Sequence, residues 1–299
     1  MENLKEEQDL LSASQSESQI ESPLKLSFLR FKKNKRAVIG FFITLFFIAV
    51  ATLAPWLSPY NPFEYNLQDA LQSPNAKHFL GTDQFGRDTL TRIIYGSRYS
   101  LAIGFIGVGL AIFIGVILGT IAGYFEGIID VVIMRIIDIF MAFPGFLLAL
   151  AIVSILGPSI FNLMLAISIF SIPVFARIMR GEVLSVKNNE FIESSKSMGA
   201  KHFFIIINHV IPNCMSSVIV LASMRIATAI LAASGLGFLG LGAQPPSPEW
   251  GSLLSEGRDY IGTANHLTTF PGLCIMLVVV GLNMFGDGLR DAFDPKTKV

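Results

Sequence analysis

Charge is what this chain of 299 residues has least of. Asp, Glu, Lys and Arg make up 15% of it, against about 25% in an ordinary soluble domain. So few charges cannot cover a water-facing surface when 52% of the residues are hydrophobic. Charge of one sign is missing as well: 22 basic residues balance 22 acidic ones. The basic residues are split among short stretches rather than gathered on one face, so no nucleic-acid partner is expected. Cysteine is scarce, with only Cys214 and Cys274. Each opens a hydrophobic segment, and the topology derived below puts them on opposite sides of a membrane. A disulfide needs Cα atoms within about 7 Å, so both read as small buried hydrophobes. The chain has no Gly-x4-Gly-Lys-Ser/Thr phosphate loop and is not expected to bind ATP or any other cofactor itself. It has neither a His-Glu-x-x-His nor a Cys-x-x-Cys signature, and its four histidines are scattered, so no metal site is expected. No paired carboxylates or nucleophile–base set suggests a catalytic residue, which disfavours an intramembrane enzyme.

What the chain does have is apolar runs of bilayer length, with a mean hydropathy of +0.60. They predict an all-α polytopic membrane protein with six spans, at about 37–57, 100–123, 136–156, 160–176, 213–236 and 270–289. Before them, residues 1–36 read as a cytoplasmic tail, disordered at first and then basic from Lys25 to Arg36. Trp56 suits an interface at the end of the first span. In the second, Gly107, Ala111, Gly115, Gly119 and Gly123 recur every four residues and form a small-residue stripe for close helix packing. Pro144 predicts a kink in the third span, and Asp138 can pair with Arg135 one turn earlier. Arg225 is the one basic residue deep inside a span, so it is expected to face a water-filled path or a neighbouring subunit. Both termini lie on one side. Sixteen of the 22 lysines and arginines fall on that side and five on the other, which predicts cytoplasmic termini.

A charged break, residues 177–212, lies on the same side as the termini. Within it, Glu190 to Gly199 has the grammar of a short helix. Asn188 and Asn189 can cap it, Glu190 and Glu193 put negative charge in its first turn, and Gly199 closes it in the left-handed conformation. Such a helix is about 14 Å long and cannot cross a bilayer. A second helical run, Lys201 to Ile211, leads to Pro212, which is placed to start the next helix.

The spacing Glu193-Ser194-Ser195, three residues, Gly199, nine residues, His209-Val-Ile-Pro212 resembles the EAA motif of permease subunits in binding-protein-dependent ABC importers. Serines replace the two alanines, and His209 and Ile211 replace an isoleucine and a leucine. The outer stretch His78-Phe-Leu-Gly-Thr-Asp83-Gln-Phe-Gly-Arg87-Asp88 through Ser100 is similar to the second, C-type permease of dipeptide, oligopeptide and nickel importers. So are Met134-Arg135 through Pro144, Gly237-Phe-Leu-Gly-Leu-Gly242 and Leu289-Arg-Asp-Ala-Phe-Asp-Pro295. Ala233 departs from the pattern, standing where many relatives carry an acid.

The resemblance implies an ABC transporter transmembrane domain over residues 37–299, in the bacterial inner membrane. It implies a second homologous permease, two cytoplasmic ATPase subunits that use ATP and Mg, and an extracytoplasmic substrate-binding protein. The 190–199 helix would be the coupling helix, with Glu190, Glu193, Ser194, Ser195, Gly199 and Pro212 in the ATPase-coupling stretch. A peptide is the expected substrate, while the histidines give no reason to assign nickel. The alternative from another class is a stand-alone secondary transporter using Asp138 and Arg225.

Overall fold

Residues 29–293 are described by the structure, a computed structural model. The polar tail expected before residue 25 lies outside that range. No strand occurs among the described residues, apart from one isolated bridge between Thr82 and Asp88. Helix α1 runs Lys35–Leu57 and is capped by Asn34, whose Oδ1 accepts from the Arg36 and Ala37 N–H groups. Helix α2 runs Thr89–Phe125. It starts well before residue 100 because Asp88 caps it, its Oδ2 accepting from the Thr91 N–H at 2.8 Å. At 37 residues, α2 is about 55 Å long and overshoots the bilayer's hydrocarbon core of about 30 Å.

The third span expected at 136–156 is instead two helices, α3 Gly127–Met141 and α4 Gly145–Leu156, bent by 86°. Pro144 is the reason. It has no N–H to donate and bars the preceding residue from helical geometry, so the chain breaks rather than kinks. Helix α5, Ile160–Val186, continues past residue 176 and through Pro173. Helix α6 is Glu190–Ser197, and α7 is His202–Ile205. From α7 the chain passes without interruption through a π turn, Ile206–Val210, into α8, Ile211–Phe238. Pro212 falls in the first turn of α8, as its position predicts, with the chain already helical before it. The π turn absorbs the missing N–H and the clash with the carbonyl one turn back. Helix α9, Trp250–Gly257, lies inside the loop expected at 237–269, and α10 runs His266–Phe293. Among the described residues five helices are long and apolar enough to cross a membrane, or six spans if the bent pair counts as one.

The Asn34 amide donates to Asp291 at 3.1 Å, so the start of α1 and the end of α10 meet. They do so at the end of the molecule that carries α6. Residues 58–88 and α9 form the opposite end.

Helices α2 and α5 make the most extensive interface among the described residues. A Cβ added at Gly115 would come within 2.6 Å of the Phe175 Cβ, and one at Gly123 within 2.9 Å of the Arg180 carbonyl. Gly107 and Gly119 face Ile167 and Met179 of the same helix. Around this seam Ile103, Val116, Leu163, Phe175 and Met179 form a core that continues into α8 through Cys214 and Ala233. A second core joins Phe47 of α1, Trp250 of α9 and Ile275 of α10.

An added side chain on that seam has nowhere to go, and overpacking costs about 1–3 kcal/mol or more. Gly115→Leu is expected to prevent accumulation of folded protein. Gly109→Leu, where a new Cβ meets nothing within 4 Å, is expected to be tolerated. Membrane yield and thermal unfolding of the two variants check this.

Candidate functional site

Helix α6 is amphipathic over only 8 residues. Ile192 and Ser195 point inward and are buried, while Glu190, Phe191, Glu193, Ser194 and Lys196 are exposed. Ile192 joins a cluster with Tyr124, Val183, Val186, Ile205 and Val210. A small residue is needed at 195, where the Ser195 hydroxyl turns back to donate to the Phe191 carbonyl at 2.8 Å. The Asn189 side chain makes no cap, contrary to expectation, and the Asn188 amide donates to the Leu184 carbonyl instead. The Asn189 carbonyl takes the first-turn N–H groups of Ile192 and Glu193.

The other end of α6 is closed by backbone alone. Gly199 has φ +80°, its N–H donates to the Lys196 carbonyl, and the Ala200 N–H donates to the Ser195 carbonyl. This paired arrangement requires a left-handed residue at 199. Tyr124, at the end of α2, meets both arms of the turn. Its Oη is 2.9 Å from His202 Nδ1, and its ring lies 5.9 Å from the Lys196 ammonium. Ion pairs brace the surroundings: Glu126 with Lys187, and Asp130 with Arg180 through two contacts of 2.6 Å. What remains in the open on α6 and its turn is Phe191 and Met198, flanked by Glu190, Glu193 and Lys196.

The opposite end is held by buried charge. Asp83 pairs with Arg87 at 2.6 Å and also with Arg92. Glu256 of α9 reaches both guanidiniums, at 2.8 and 2.9 Å. Both arginines are buried, so each needs these carboxylates. Glu249 is fully buried between α2, α8 and α9. Its oxygens accept from the Ser100 hydroxyl at 3.0 Å and from the Gly251 and Ser252 N–H groups at 2.9 Å. Burial pushes its carboxyl above the ordinary range, against the pull of those donors. The glycines of the 237–242 run make room for it: a Cβ at Gly237 would come within 2.7 Å of Glu249 Oε2.

Residues 115–299 match the family described as the binding-protein-dependent transport system inner membrane component. The chain belongs to this family. Residues 22–74 also match the N-terminal TM domain of oligopeptide transport permease C. The permease is 50% identical to the dipeptide transport system permease protein DppC of Alkalihalophilus pseudofirmus, over 93% of this chain and 91% of that one. It is 46% identical to the glutathione transport system permease protein GsiD of Pectobacterium atrosepticum, over 93% of each chain. Among solved structures it resembles the inward-facing MetNI methionine ABC transporter, with a TM-score of 0.54 at 19% identity, covering 68% of this chain and 97% of that one. That last likeness is one of fold. This protein is therefore a multi-pass inner-membrane permease of an ABC importer, a class that works with ATPase and substrate-binding partners.

Two charged residues expected to matter fall elsewhere in the permease. Asp138 does not pair with Arg135; it pairs with Arg177 of α5, 39 residues away in sequence, and both side chains are half exposed. A broken α3–α4 brings that carboxylate to α5, which a single straight span would not do. Arg225 sits half-buried on α8, and its side chain makes no hydrogen bond or ion pair among the described residues. Ala233 is buried in the α2–α5–α8 core. The buried charges at the far end were missed. Asp83, Arg87 and Arg92 are close in sequence, but Glu256 lies 164 residues beyond Arg92. Nothing in one sequence connects them.

Glu256→Ala would leave two buried guanidiniums sharing one carboxylate. Breaking such a network is expected to cost about 3–5 kcal/mol. The measurement is thermal unfolding of the purified permease, with Glu256→Ala unfolding at a clearly lower temperature than wild type.

Proposed function

We propose that this permease forms one half of the translocation path of a peptide importer, and that α6 is where an ATPase subunit grips it. The observation that carries the reading is the stance of α6. It is a short helix outside the spans, anchored by Ile192 and a left-handed Gly199, and it leaves Phe191, Met198 and Glu193 free to meet another protein. The excess of lysine and arginine at that end supports a cytoplasmic location for α6 and both termini. The dipeptide and glutathione permeases among its relatives support a short peptide as cargo.

In this reading the other half of the path is a second, homologous permease. Two ATPase subunits bind and hydrolyse ATP with Mg, and a binding protein delivers the peptide from outside. This chain supplies no catalytic group, cofactor or metal of its own. ATP can shift the path between inward-open and outward-open states only by as much as the ATPases, holding α6, favour one state over the other. Arg225 fits this division of labour. A guanidinium at membrane depth without a partner among the described residues is costly unless water, cargo or a neighbouring subunit meets it.

Glu193→Lys reverses an exposed charge on α6, and Gly199→Trp puts a side chain where φ is +80°. Both variants are expected to insert and accumulate normally while peptide uptake in cells falls at least tenfold. Normal uptake in both would sink the docking role of α6. Arg225→Leu is expected to reduce uptake without loss of assembly; wild-type uptake in that variant would remove Arg225 from the path and from the subunit interface alike.

A further inference from the structure

The long helix α2 ends where α6 is attached, and the attachment is specific. Lys196 lies before the Gly199 turn and His202 after it, and both meet the one buried Tyr124 ring. The His202 ring also stands edge-on to Tyr124 at 5.6 Å and lies 6.2 Å from Phe125. The corner after Phe125 is itself braced by Glu126–Lys187 and Asp130–Arg180, so the end of α2 cannot yield alone. At its other end α2 carries Arg92 and Ser100, which hold Glu256 and Glu249 of the α9 region. No proline interrupts α2 between these two ends.

We infer that Tyr124 and His202 are positioning residues for transport: their hydrogen bond clamps the α6–α7 stretch to α2, so that displacement of α6 moves α2 and the α9 end with it. The inference rests on the reading of α6 as the ATPase-docking helix. If the clamp is cut, α6 can follow the ATPase while α2 lags, and ATP is hydrolysed without peptide crossing. The buried Ile192 still holds α6 in the fold, so the loss falls on transmission rather than on folding.

The experiment uses the assembled transporter, with both permeases, ATPases and binding protein, in liposomes fed a pool of labelled dipeptides. It reads peptide moved per ATP hydrolysed. Tyr124→Phe keeps the ring and removes the Oη; His202→Ala removes the partner; His202→Asn returns a polar atom near the position of Nδ1. Tyr124→Phe and His202→Ala are each expected to lower the ratio about threefold to tenfold, the worth of one hydrogen bond. ATPase co-purification should stay unchanged, and thermal stability should fall by no more than the loss of one hydrogen bond. His202→Asn should recover most of the loss, and the Tyr124→Phe/His202→Ala double variant should be no worse than either single one. A wild-type ratio in both single variants, while Gly199→Trp uncouples in the same assay, would overturn the clamp and leave α6 docking intact. A wild-type ratio in Gly199→Trp as well would overturn the docking reading itself. Falls in stability and co-purification with an unchanged ratio would make Tyr124 a folding residue and also overturn the clamp.

Discussion

The close approach of α2 to α5 is the constraint on which the rest of the molecule depends. Inside a bilayer, apolar side chains gain little from leaving lipid for one another, so helices are held by dense packing and by polar contacts. Glycines at 107, 115, 119 and 123 let the α2 backbone lie against α5 along most of the bilayer's thickness. That seam makes a stiff pair from the two helices that border α6. It also lets α2 overshoot the membrane at both ends while remaining fixed in the middle.

Each overshooting end is then used. At one, Arg92 and Ser100 of α2 meet the carboxylates of Glu256 and the buried Glu249. At the other, Tyr124 meets the turn around Gly199. Charge that cannot sit in hydrocarbon is thus concentrated where it either ties loops to helices or stays available to other proteins. The same economy explains α6. Its inward face needs only Ile192 and Ser195 to hold it, which leaves most of its short surface unengaged by its own chain.

Much of this was legible because the bilayer writes its thickness into the sequence. Runs of apolar residues marked the long helices, a four-residue period of small residues marked the face of α2, and the Glu193–Gly199 spacing marked α6. What was not legible involves partners far apart in the chain or competition between local rules. Pro144 could signal a kink or a break; the chain breaks there by 86°, and Asp138 pairs with Arg177 rather than Arg135. Pro212 does stand in the first turn of α8, but the π turn that delivers the chain to it already helical had no local signal. Helix α9 hid within a loop rich in glycine and proline, because its signal is an N-cap, Glu249, whose side chain accepts from Gly251 and Ser252 rather than from an apolar period.

The most direct test of the account is a photo-crosslinking side chain placed at Met198, which is 80% exposed beside α6, and activated in native membranes holding the whole transporter. The account predicts a covalent adduct between this permease and an ATPase subunit, lost when the ATPase is absent. Adducts with lipid alone, or none, in membranes where the ATPase is present and the permease is folded, would contradict it.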